Sequence, residues 1–68
     1  MSDPCETAID LLVECSKLDR AGRDSATFYT QRVQPALEAA AATDRDVDLF
    51  AEADRRYGQW LIDNAGRR

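Results

Sequence analysis

The stretch AAAATDRDVDLF, residues 39–50, decides the fold. Four alanines of strong helix propensity lead into Thr43, and Asp46 follows three residues on, the spacing of a capping box that opens a new helix. Read as a boundary, the stretch makes the chain a three-helix bundle. Read as unbroken helix, it gives one long second helix from Ser25 to Asn64 and a helical hairpin that must dimerise to bury its far end. No glycine or proline lies between Ala36 and Tyr57 to separate the two readings. The apolar stripes on either side differ in phase by only about 50° at about 100° per residue. A mean helix length of about 11 to 12 residues favours the break. The expected fold is therefore all-α, one helical domain over residues 1–68, with helices over about 4–21, 25–42 and 44–65.

Toward the N-terminus the signals are firmer. Asp3 can cap, Pro4 suits the first helical position, and Glu6 stands three residues after the cap. Gly22 ends this helix. Cys5, Ala8, Ile9, Leu12 and Cys15 form a stripe that Leu11, Val13 and Leu18 widen on both sides. The apolar arc of about 220° exceeds the roughly 100° that a surface helix needs, so both sides are expected to be covered. Asp24 or Ser25 caps the second helix, whose stripe of Ala26, Tyr29, Val33, Ala36, Leu37 and Ala40 keeps register across Pro35. One helix kinked at Pro35 follows, the proline removing a hydrogen bond to the Gln31 carbonyl. In the third helix Val47, Phe50, Ala51, Tyr57, Leu61, Ile62 and Ala65 line one face, and Leu49, Ala53 and Trp60 form a second stripe beside it. Gly66 is its expected stop.

Composition narrows the function classes. A chain of 68 residues hides only about 60% of its unfolded surface, and such domains usually add disulfides, metals or a partner subunit. Cys5 and Cys15 are the only cysteines, and ten residues of helix separate them by about 15 Å, too far to bond. Two free thiols and an acidic start unlike a secretory signal point to the cytoplasm. Histidine is absent, which removes the usual zinc ligands, and no cofactor motif is present. No apolar run can span a bilayer, and the net charge of −4 opposes binding to nucleic acid or anionic lipid. A protein partner remains, first of all a second copy.

The acidic residues Asp44, Asp46, Asp48 and Glu52 resemble the start of a calcium loop. The sixth position, which needs glycine, is Leu49, and the twelfth, which needs glutamate, is Arg55. Carboxylates in a first helical turn are explained more simply by the macrodipole. Without a histidine base or a glycine-rich phosphate loop, no enzyme is expected. Asp54 falls in the middle of the stripe of Val47, Phe50, Tyr57 and Leu61, where a buried carboxylate would need a partner such as Tyr29. Trp60 with Leu49, Ala53 and Arg56 has the composition of an interface, and Phe28, off the second helix's stripe, extends it. The expected function is a non-enzymatic protein interaction module (adaptor, inhibitor or regulator) acting as a homodimer. The alternative is an acidic inhibitor that mimics nucleic-acid phosphates and blocks a nucleic-acid-binding protein. A small DNA-binding regulator ranks third, because neither the second nor the third helix carries a basic stripe.

Overall fold

A computed structural model describes residues 3–44 and 47–65. Its first helix, Pro4–Arg20, is capped by Asp3, whose carboxylate accepts the Cys5 N–H at 2.9 Å. It ends where Gly22 takes φ +74°, a left-handed conformation that side chains disfavour. The Arg23 N–H then donates to the Leu18 carbonyl and the Gly22 N–H to Asp19, the paired bonds of a Schellman motif.

The second helix runs over 25–41 in three parts: an α-helical turn Ser25–Phe28 capped by Asp24, a π-helical turn Tyr29–Val33, and α-helix Gln34–Ala41. The wide turn replaces the expected kink. Pro35 has no N–H and its ring crowds the carbonyl four residues back. The chain widens immediately before it, the Gln34 N–H reaching back to the Tyr29 carbonyl. One extra residue in the turn also rotates the faces. Val33 and Ala40 are buried as expected, with Ala36 and Leu37 half-buried, but upstream Ala26 is exposed and Tyr29 lies at the surface. Phe28, expected off the stripe, packs on the core instead.

The break at the decisive stretch is present, and its mechanism differs from the expected one. Thr43 does not open a helix: its hydroxyl donates to the Ala40 carbonyl at 2.6 Å and so closes the second. Asp44 follows with φ +56°, a left-handed conformation that a short polar side chain tolerates and that no continuous helix can contain. The long-helix alternative is thereby excluded. Asp46 lies outside the described residues. The third helix is Leu49–Ala65, five residues shorter at its start than expected, and Asp48 caps it by accepting the Ala51 N–H at 3.0 Å.

The first helix is the centre of the arrangement. The second and third both pack against it, while no Cα of one comes within 8 Å of the other. Burial on two sides is what its wide apolar arc required. The core is made of small side chains: Ile9, Leu12, Val33 and Ala53 in one cluster, Cys5, Ala8 and Ala40 in a second. Leu37 and Leu49 pack against both. Neither cysteine is bonded; Cys5 is buried and Cys15 half-buried. Among the described residues no helix is long and apolar enough to cross a membrane.

Candidate docking face of the third helix

The third helix is rotated relative to the sequence expectation. Of its two stripes, that of Leu49, Ala53 and Trp60 faces inward: Ala53 is 6% exposed, and Leu49 and Trp60 are half-buried, as are Tyr57 and Leu61 at the edge of the other stripe. Leu49 and Ala53, expected in an exposed patch, therefore belong to the intrachain core. Trp60 stacks on Tyr57 with ring centroids 5.8 Å apart and receives the Lys17 ammonium 4.8 Å from its ring. The contact is a cation–π clamp between the first and third helices. Phe28 likewise serves the core.

Arg56 holds the other end of the same seam. Its Nη1 and Nη2 donate to the carboxylate of Glu6 at 2.8 and 2.6 Å. Nη1 also reaches Asp10 at 3.4 Å, and Nε donates to Glu52 at 3.1 Å. The fork thus engages three carboxylates on two helices, a geometry that makes a surface pair worth more than the usual exposed ion pair. The acidic row is interrupted in consequence. Asp44 sits in the turn, Asp48 caps a helix, and Glu52 is bound by Arg55 and Arg56.

Hydrogen bonds from Arg56 hold Glu6 below its ordinary value of 4.5. Those from Arg55 and then Arg56 do the same for Glu52. A depressed folded pKa stabilises the fold above the unfolded value, and that contribution disappears as the pH falls through the folded one. Stability should therefore decline on acidification below about pH 4.5. Arg56→Gln is expected to lower the melting temperature by several degrees at neutral pH, less in high salt. It should also flatten the acid limb, because Glu6 then loses its cation and Glu52 keeps only Arg55. Thermal melts by circular dichroism across this range check both effects; an unchanged acid limb in Arg56→Gln would show that the guanidinium does not set it.

The outward stripe carries apolar side chains left in solvent. Phe50 is 58% exposed and Ile62 70%, with Val47 at 40%. Ala51 and Ala65 are also exposed. At about 100° per residue Phe50, Ala51, Ile62 and Ala65 fall within an arc of about 120°, while Val47 stands two residues before the helix. Asp54 stands within that arc, exposed rather than buried, and its side chain has no hydrogen bond or ion pair among the described residues. Tyr29, the expected partner, does not reach it, because no Cα of the second helix comes within 8 Å of one in the third. Gly58 lies on the same arc, and a Cβ added there would meet nothing within 4 Å. Beside this face a groove of about 430 Å³ runs over Leu12 and Ser16, walled by Phe50, Ala51, Ala53 and Asp54.

Val47, Phe50, Ile62 and Gly58 are the site residues that the sequence did not single out. One signal was available. Glu6 and Asp10 lie one turn apart on the first helix, and Arg56 lies beside Leu49, Ala53 and Trp60 on the third. A cation flanking one stripe and two anions flanking its counterpart mark those stripes as facing each other. No protein-family model, curated protein or solved structure matches this chain.

Proposed function

We infer that the chain is a small, non-enzymatic protein interaction module, of the adaptor, inhibitor or regulator kind, that docks through the outer face of its third helix. The observation that carries this reading is the exposure of Phe50 and Ile62 on one arc. Apolar side chains gathered on one exposed face mark interaction sites more often than ones scattered singly over a surface. A core of small side chains supports the same reading, since a domain of this size gains little from its own interior. The two free thiols fit a reducing cytoplasm.

The test is site-specific photo-crosslinking in living cells, with a benzophenone side chain placed at Phe50, at Ile62 or at Glu14, an exposed position of the first helix. Covalent adducts to protein, whether to a second copy or to another chain, are expected from the first two positions and not from Glu14. Absence of adducts at Phe50 and Ile62 would sink the reading.

A further inference from the structure

We propose that the molecule carries a second docking surface, a groove between the first and second helices that takes a short acidic segment of another protein, one apolar side chain flanked by carboxylates. No residue of the third helix lines this groove, so the proposal goes beyond the docking face described above.

The groove has a volume of about 580 Å³ and lies open to solvent, which suits a stretch of chain laid across the surface. Its floor is made by Leu18 and Phe28, both half-buried, so each keeps apolar surface in water that an occupant would cover. Gln31 stands beside them, and its amide can both donate to and accept from a peptide backbone.

Charge names the occupant. Arg23, in the loop after the first helix, and Arg32, a turn beyond Phe28 on the second, both line the groove and are exposed. Neither side chain has an ion pair or hydrogen bond among the described residues. Asp24, the one carboxylate lining the groove, is already committed: its Oδ1 accepts the Thr27 N–H at 3.0 Å and its Oδ2 the Thr27 hydroxyl. Two guanidiniums therefore remain to meet anions brought from outside, in the fork geometry that pairs with carboxylates. Arg23 has an ordinary explanation, since a cation beside the first helix's C-terminus complements the macrodipole. Arg32 has none of that kind, because it lies in the middle of the second helix, in the π-helical turn Tyr29–Val33.

Exposed ion pairs are weak singly, so the apolar contact supplies most of the affinity and the arginines select the sequence. The net charge of −4 repels a long polyanion such as nucleic acid. A short segment instead places its few charges only where the arginines stand.

The experiment is selection of random dodecapeptides displayed on phage against the folded protein, followed by fluorescence anisotropy with the selected peptide. An apolar or aromatic residue flanked by aspartate or glutamate is the expected consensus. Arg23→Gln and Arg32→Gln should each raise the peptide's Kd about fivefold. Both variants should melt as the wild type does, since neither side chain bonds within the described residues. Raising the salt from about 50 to about 500 mM should weaken wild-type binding and leave the double variant nearly unaffected. In amide NMR spectra the peptide should shift Leu18, Thr27 and Phe28 and spare Phe50 and Ile62. A consensus without acidic residues, or equal binding by the double variant, overturns the proposal. Shifts confined to Phe50 and Ile62 overturn this groove and leave the third-helix reading intact. Displacement of the peptide by a thymidine dodecamer assigns the arginines to phosphate and overturns the protein partner.

Discussion

Leu12→Ala is expected to leave most of the chain unfolded at room temperature. Leu12 is 8% exposed at the centre of the cluster formed with Ile9, Val33 and Ala53, on the one helix that both others touch. Truncating a buried leucine removes about 2 to 5 kcal/mol, and a single core of this size supplies only roughly 3 to 5 kcal/mol in total. The other large side chains of the first helix cannot compensate, since Leu11 and Val13 are only partly buried and already packed. Urea titration followed by circular dichroism gives the outcome directly. A cooperative transition close to the wild-type midpoint would show that the cluster is not where the stability resides.

Ala53→Glu is the second large effect, and it separates the two rotations of the third helix. If Leu49, Ala53 and Trp60 formed a surface patch, glutamate would be harmless there. Ala53 is instead 6% exposed against Leu12 and Ile9, so the substitution forces a longer, charged side chain into the packed seam, at a cost of several kcal/mol. Loss of the folded baseline is the expected result. Ala39→Glu, on the exposed side of the second helix, serves as the control and should change stability by no more than about 0.5 kcal/mol. A stable Ala53→Glu would restore the opposite rotation and put Phe50 and Ile62 in the core.

Local chemistry made much of the fold legible. Asp3 and Pro4, Gly22, and Asp24 placed the ends of the first helix and the start of the second to within a residue, because caps and left-handed stops act through neighbours in sequence. The break between the second and third helices was legible as a location and not as a mechanism. Thr43 and Asp44 each can begin a helix or end one, and here the Thr43 hydroxyl donates to the Ala40 carbonyl of the second helix. The π-helical turn was not legible. Its cause, Pro35, is visible, but whether a helix kinks or widens at a proline depends on how much the packed halves must rotate to keep Val33 and Phe28 inside.

What the sequence determined by itself was an all-α chain, three helical segments, and more apolar arc than three short helices need. Periodicity measures where apolar residues lie around an axis, so it could show two adjacent stripes on the third helix and could not rank them. Only the tertiary structure decided which stripe turns inward, because that choice belongs to the surface it meets. Small Ala53 lets the backbone come close to Leu12, Arg56 finds Glu6 and Asp10, and Lys17 caps Trp60. Together these fix the rotation that sends Phe50, Asp54 and Ile62 outward, through contacts between residues far apart in the sequence.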